Sequence, residues 1–383
     1  MNSIPNLTIH FPAKLVFGKG CISELPAEIA KLSCKKVFIL TITPLLSKIE
    51  ELTKQLEALD ITVSVNTDIV QEPTFADFDK LMLQAGEIKP DMVIGIGGGS
   101  VLDVAKLVAA QLDNTQSLAD IVGIGLLKGR SKKLICVPAT SGTGSEVSPN
   151  AILVDPENQK KGIISPYLVP DAVYVDPLLT MSVPGSITAA TGLDALTHCL
   201  EAYTNKFAQP FIDLYAYEGM RLIGAHIVQA VKNGDDEEAR TQVAMGSLLG
   251  GFCLGPVNTA AVHALAYPLG SSFHLAHGLS NALLLPYVMK FNSSAAPGKY
   301  AGVALALGCI RGDDDLQTAK KGIEKIEQLI RECGIPARLR DVGIPKDAIP
   351  QMAEDAMKIT RLLKNNPREL NYQDAVDIYT DAY

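Results

Sequence analysis

The chain has 383 residues, 47% hydrophobic and 20% charged, with 42 acidic against 34 basic residues and a formal net charge of −8. That length buries a large core and divides most naturally into two domains. Basic residues cluster only as pairs, such as Lys35 with Lys36 and Lys320 with Lys321, which excludes the electrostatic footprint of a nucleic-acid binder.

Seven dispersed cysteines without a CxxC spacing read as reduced thiols of a cytoplasmic protein. The first residues, MNSIPNLTIHFPAK, lack a basic segment followed by an apolar one, so no signal peptide is expected. Thr241–Met289 contains no Asp, Glu, Lys or Arg, but Gly250, Gly251, Pro256, Asn258, His263 and Pro268 interrupt it. No clean run of ~20 apolar residues remains, so buried helices are expected there and not a membrane span.

In chain order, residues 5–17 read as extended, ending at Phe17-Gly18-Lys19-Gly20. A strand–helix rhythm follows: strand Lys36–Thr41, helix Leu46–Leu59, strand Ile61–Val65, helix Phe75–Ile88, strand Asp91–Ile96, helix Val101–Leu112 and strand Leu134–Val137. Such alternation predicts an α/β domain with a parallel sheet covered on both faces. Beyond Pro184 the strand pattern stops. Helices are expected at Ile187–Thr204, Pro210–Asn233, Glu237–Phe252, Thr259–Tyr267, Asp315–Cys333 and Lys346–Leu363, with a domain boundary near residue 183.

Three stretches carry chemistry. Gly97-Gly98-Gly99-Ser100 ends an apolar strand and opens a helix, where glycines let a phosphate approach the backbone. It lacks the third glycine of the GxGxxG fingerprint, so a tight structural turn competes with a phosphate cradle. Pro138–Glu146 (PATSGTGSE) also follows a buried strand and offers hydroxyls suited to phosphate or ribose. The third stretch, Val262–Ser280, holds three of the six histidines: His263, His274 and His277. Asp194 and His198 lie four apart, so one helix face carries both. Alone, that pair reads more simply as a carboxylate near a helix start with a histidine beside it. With His263 and His277 it becomes one carboxylate and three imidazoles, a set suited to Fe²⁺, Zn²⁺ or Mn²⁺.

At these residues the chain resembles the iron-containing (group III) alcohol dehydrogenase family. The motifs are Phe11–Gly20, GGGSVLDVAK (Gly97–Lys106), PATSGTGSEV (Pro138–Val147), PDAVYVDP (Pro170–Pro177), TAATGLDALTHCLEAY (Thr188–Tyr203) and HALAYPLGSSFHLAHG (His263–Gly278). They cover nearly the whole chain. The resemblance implies a dehydroquinate synthase-like architecture: residues 1–183 as an α/β dinucleotide-binding domain, and residues 184–383 as an all-helical metal-binding, catalytic domain. It implies metal ligation by Asp194, His198, His263 and His277, with Fe²⁺ foremost. It places NAD, or NADP, on Gly97, Gly98, Gly99 and Ser100, with Asp103, Thr140, Thr143 and Lys160 nearby. Asn150 is expected at the substrate end, and apolar residues such as Leu254, Phe252 and Phe273 to shape the pocket. The implied activity is hydride transfer between an alcohol and its aldehyde or ketone, in a homodimer with no nucleic-acid or membrane partner.

The pattern departs from the family at two places. Many members carry a histidine for proton relay four residues after the third ligand; here Tyr267 stands there, and the relay falls to His274 or to the Tyr267 hydroxyl. Members restricted to NAD often place an Asp just after the first strand of the alternating run. Here the turn is Thr41-Ile42-Thr43, so charge does not exclude NADP. The alternative activities are that of a maleylacetate reductase, whose chains typically lack the full ligand set, and a non-catalytic nucleotide or metal sensor.

Overall fold

The computed structural model describes residues 6–157 and 159–383, so residue 5 of the expected extended start lies outside the described residues. By internal contacts the chain divides into two compact units. One comprises His10–Thr140 and Ser145–Ser182; the other comprises residues 6–9, Ser141–Gly144 and Val183–Tyr383.

The first unit contains β1 (Lys14–Phe17), α1 (Leu25–Lys31), β2 (Lys36–Leu40), α2 (Leu46–Ala58), β3 (Thr62–Asn66), α3 (Phe75–Ile88) and β4 (Met92–Gly97). It continues through α4 (Gly99–Gln111), β5 (Gly123–Ile124), β6 (Lys133–Pro138), β7 (Asn150–Val154), β8 (Lys160–Ile164) and β9 (Ala172–Val175). Six strands form one parallel sheet in the order β1-β9-β6-β4-β2-β3. Val37–Leu40 and Met92–Ile94 are fully buried on both alternating faces, which is why these strands read as unbroken apolar runs. The order reverses between β2 and β4: the chain steps from β2 out to β3, then returns to β4 on the other side. In open α/β sheets that reversal opens a crevice at the carboxyl ends of the strands.

The helix starts explain several boundaries. Thr74 and Asp77 form a reciprocal capping box at the head of α3, each side chain accepting from the other's backbone N–H. α4 instead starts from Gly98 with no side chain capping it. At Gly95 a Cβ would lie 2.8 Å from the Ala105 Cβ, so the missing side chain is what lets α4 lie flat on β4.

A second sheet, β5-β8-β7, was not expected. β7 and β8 pair antiparallel, Asn150 opposite Ile164 and Val154 opposite Lys160. Lys160 and Lys161 mask the alternation of β8, which hides it from a search for apolar runs.

The second unit holds α5 (Gly185–Thr204), α6 (Pro210–Lys232), α7 (Glu237–Leu254), α8 (Ala261–Phe273), α9 (His277–Ser293), α10 (Pro297–Ala306), α11 (Asp315–Glu332), α12 (Ile349–Met357), α13 (Thr360–Leu363) and α14 (Tyr372–Ala382). Its core runs through Leu193, Leu196, Met220, Ile223, Leu265, Leu284, Ile326 and Tyr379. The charge-free run Thr241–Met289 is spread over α7, α8 and α9, which are buried because they pack in this core. Among the described residues no helix is long and apolar enough to cross a membrane. Two expected helices differ. α8 continues through Pro268 to Phe273 and does not stop at Tyr267. The expected Lys346–Leu363 helix is split, because Ile359 leaves helical geometry at φ −83 and ψ 48.

Candidate metal centre

Four side chains of the helical unit converge. Asp194 and His198 sit one turn apart on α5. His263 is the third residue of α8, and His277 is the first residue of α9. Between them His274 takes the left-handed conformation (φ 56) that ends α8 and lets the chain reverse within three residues. Gly278 completes the approach: a Cβ there would stand 2.3 Å from the Ala190 carbonyl oxygen and 3.2 Å from the Asp194 Cβ. Only glycine lets the first turn of α9 meet α5 this closely, so Gly278 brings His277 to Asp194.

The Nε2 atoms of His198, His263 and His277 lie 3.8, 3.6 and 3.9 Å from Asp194 Oδ1. All four candidate ligand atoms are within 4.8 Å of one another. These separations are too long for hydrogen bonds. They suit ligands sharing one ion, whose bonds of about 2.1 Å leave donor atoms roughly 3–4 Å apart. His263 Nε2 is buried without any hydrogen-bond partner, an orphan a dication would satisfy. One hard oxygen and three nitrogens, with no thiolate, match Fe²⁺, Zn²⁺ or Mn²⁺. The residues therefore fit the metal the sequence implies.

Burial shapes the electrostatics. It works to raise the Asp194 carboxyl, but His198, His277 and His263 overcome it and hold the group well below the usual carboxylate range. His198 is lowered, chiefly because its charged form is desolvated. Burial would lower His263 too, yet Glu201 and Asp194 lift it to about 9. Asn281 Nδ2 donates to Asp194 Oδ1 at 2.6 Å and lies 3.3 Å from His277 Nε2. The His277 side chain is 30% exposed, against 4–6% for the other three, so the group opens on the His277 side.

Tyr267 is half-buried with its ring 6.3 Å from that of His277, and its hydroxyl accepts from Arg361 at 3.4 Å. His274 is exposed at the helix end and stands outside the four-residue group. Leu254 closes α7, buried, and Phe252 of the same helix packs on Tyr215. Phe273 is half-buried against the helical core.

In the sheet unit, Gly97 ends β4, Gly98 caps α4, and Gly99 and Ser100 form its first turn. The glycines are not equivalent. A Cβ on Gly97 would clash with Val101 at 2.9 Å, whereas one on Gly98 would meet Thr140 Oγ1 at an ordinary 3.6 Å. Gly97 is thus required by packing, and Gly98 by no protein atom. Asp103 faces inward on α4 and accepts from Ser145 Oγ and, at 2.9 Å, from the Ile152 N–H. Lys160 pairs with Glu72, and Asn150 opens β7 with its side-chain Oδ1 buried and unpartnered. Thr143 falls in the Ser141–Gly144 segment grouped with the helical unit.

Sequence reasoning passed over Glu201, Asn281 and Lys106. Glu201 and Lys106 lie inside motifs that were read and Asn281 just beyond one, but the decisive partners are far away in sequence: Glu201 meets His263 at a separation of 62 residues and Asn281 meets Asp194 at 87.

The geometry agrees with known proteins. Residues 12–177 match the family model for iron-containing alcohol dehydrogenase, and residues 188–383 that for the C-terminal part of the Fe-containing alcohol dehydrogenase family. The chain belongs to the iron-containing alcohol dehydrogenase family. It is 39% identical to long-chain-alcohol dehydrogenase 1 of Geobacillus thermodenitrificans (strain NG80-2), covering 98% of this chain and 96% of that one. The crystal structure of a 1,3-propanediol oxidoreductase superposes with a TM-score of 0.95 at 33% identity, over 99% of this chain and all of the other. That of sulfoacetaldehyde reductase from Bifidobacterium kashiwanohense, in complex with NAD⁺, does so with a TM-score of 0.88 at 27% identity, over 99% of both chains. The protein is accordingly an oxidoreductase of the alcohol dehydrogenase and aldehyde reductase kind.

Proposed function

We propose that the chain interconverts an alcohol and its aldehyde or ketone with NAD(H), using a divalent ion, Fe²⁺ foremost, held by Asp194, His198, His263 and His277. The observation that carries this reading is the approach of three Nε2 atoms to one buried carboxylate oxygen at 3.6–3.9 Å, with His263 Nε2 unpartnered. When bound, the ion supplies Lewis acidity at the substrate oxygen and the nucleotide supplies the nicotinamide that exchanges hydride. Asp194 contributes one negative charge and the imidazoles none, so the set holds a dication while leaving it net positive.

Gly98 leaves open the space that a pyrophosphate needs, and the start of α4, uncapped by any side chain, directs its N–H groups there. Asp103, Thr140, Thr143 and Lys160 are assigned to the nucleotide, and Asn150 and Leu254 to the substrate end. Thr41-Ile42-Thr43 follows β2, beside the sheet's reversal, and offers no carboxylate to repel a 2′-phosphate, so NAD(H) is the assigned nucleotide and charge does not exclude NADP(H). Of the two relay candidates, Tyr267 is favoured by its ring beside His277; its hydroxyl is then the atom that passes the alcohol proton outward. His274 serves the backbone turn. Seven unpaired cysteines are in keeping with a cytoplasmic setting, and a homodimer is the assembly that the family resemblance implies, checked by sedimentation.

The test is anaerobic purification, elemental analysis and a screen of alcohols and aldehydes with both nucleotides. Chelation should abolish turnover and Fe²⁺ restore it. Tyr267→Phe should lower turnover at unchanged metal content, and His274→Ala should leave it near wild type; the reverse pattern reassigns the relay. Tight nucleotide binding without turnover on any substrate would replace the enzyme reading with a sensor. Full turnover in metal-free protein would replace it with a reductase of the maleylacetate type.

A further inference from the structure

We infer that Glu201 is a positioning residue for the metal: it fixes the His263 ring with its proton on Nδ1, so that the Nε2 lone pair faces the ion. This rests on the reading that Asp194, His198, His263 and His277 hold that ion.

Glu201 lies on α5, one turn beyond His198, and is 3% exposed. A buried carboxylate requires full hydrogen bonding, and Glu201 has it. Its Oε1 accepts from the Val262 N–H at 2.6 Å, and its Oε2 accepts from the Ala260 N–H at 2.9 Å. The third partner is His263 Nδ1, 2.6 Å from Oε2. An ionised carboxylate only accepts, so at that distance Nδ1 must be the donor and carry the hydrogen. The proton position of the neutral ring is thereby settled, and Nε2, 3.6 Å from Asp194 Oδ1, is left as the lone-pair atom.

The same carboxylate does a second task. Ala260 caps α8 without a side-chain hydrogen bond of its own, and Val262 is in the first turn. Glu201 therefore caps, from α5, the helix that carries His263, three residues from the cap and in hydrogen-bond contact with Glu201 itself. One side chain sets both where α8 begins and how its histidine is turned. A carboxylate behind a ligating histidine holds its orientation and raises its basicity, and loss of such a partner typically costs about 10–100-fold in metal affinity.

Glu201→Gln keeps the side chain's size and one acceptor oxygen for the backbone, but loses the ionised acceptor facing Nδ1. The experiment combines Zn²⁺ competition titration with ¹⁵N-histidine NMR, the His263 signal being assigned by its absence from His263→Gln. Zn²⁺ should bind Glu201→Gln about 10–100-fold more weakly than wild type, with circular dichroism unchanged. In wild type, His263 should show a protonated Nδ1 with zinc bound, and also without zinc in alkaline solution where the ring is neutral, a signature that simple helix capping would not require. Wild-type zinc affinity in Glu201→Gln, or a wild-type His263 bound to zinc through Nδ1, overturns the inference. Should Glu201→Gln fail to fold, the wild-type spectra still decide. Failure of wild type to bind zinc or iron would sink the metal reading instead, while the metal-free spectrum still reports on the Glu201–His263 pair.

Discussion

Two buried ionic clusters, one in each unit, obey opposite rules. In the sheet unit Lys106 is completely buried, yet its ammonium donates to Ser145 Oγ at 2.7 Å, the Ser148 carbonyl at 3.1 Å and the Asn150 carbonyl at 2.7 Å. Asp103, 3.7 Å away, balances the charge. Burial pulls the lysine down and pushes the aspartate up, and each opposes the shift in the other. All three ammonium hydrogens are used. In the helical unit Asp194 is buried too, but the three Nε2 atoms around it stop at 3.6–3.9 Å, beyond hydrogen bonding to it, and His263 Nε2 stays orphaned. The Lys106 ammonium is satisfied by the protein alone; the unsaturated, convergent Asp194 group is shaped for a guest. Buried polar groups are almost always paired, so an orphaned nitrogen inside a convergent set of ligand-type atoms points to a site.

The comparison can be broken from the metal side first. Asp194→Ala should purify folded, retain nucleotide binding and lose metal and activity together, by more than the roughly 10–100-fold that outer partners supply. Elemental analysis with initial rates checks this, and an active, metal-free variant would make the four residues a structural cluster. Next is the saturated cluster. Lys106→Met should strand Asp103 in the interior and cost about 3–5 kcal/mol, the usual penalty for breaking a buried pair from one side. A denaturant melt reads that loss, and zinc affinity should not move; a stable Lys106→Met would mean the network is not required.

A third test uses pH on the metal-free protein. The folded His263 value of about 9 exceeds the ordinary value near 6.5, so its charged form contributes stability that is complete below about pH 6.5. That contribution fades as pH rises through about 9. Metal uptake should strengthen over the same window, because the ion displaces the proton. Apoprotein melting temperatures and zinc titrations from pH 6 to about 10 would show both trends, and flat profiles would contradict the electrostatics. The smallest effect is expected at Gly98→Val, where the fold has room for a Cβ. The Michaelis constant for NAD(H) should rise roughly tenfold, or ~1.4 kcal/mol, without loss of thermal stability. An unchanged constant removes this loop from the nucleotide.

The parallel sheet was legible because both faces of β2 and β4 are covered, leaving apolar runs with helices between. Asp194 and His198 were legible because helical spacing puts them together. β7 and β8 were not, since their lysines and Asn150 break the alternation. α9 was missed because Gly278 and Pro286 look like breakers, although both are accommodated within the helix. Glu201 and Lys106 were passed over. What makes them interior is a set of backbone groups 42 to 61 residues away, which no local pattern contains.

The trans cap on α8 has a consequence for metal identity. Glu201 anchors His263 and Gly278 seats His277 through contacts made by protein atoms alone, so the chain itself sets much of the cage's shape. Such a cage imposes little choice among first-row dications beyond their intrinsic affinity order, in which Zn²⁺ outranks Fe²⁺ and Mn²⁺. Its one partly exposed side, at His277, is where an ion would come and go without unfolding the chain. Occupancy would then follow the supply of free metal around the protein, so a preparation made in iron-poor, zinc-containing medium would carry zinc while its backbone stayed the same.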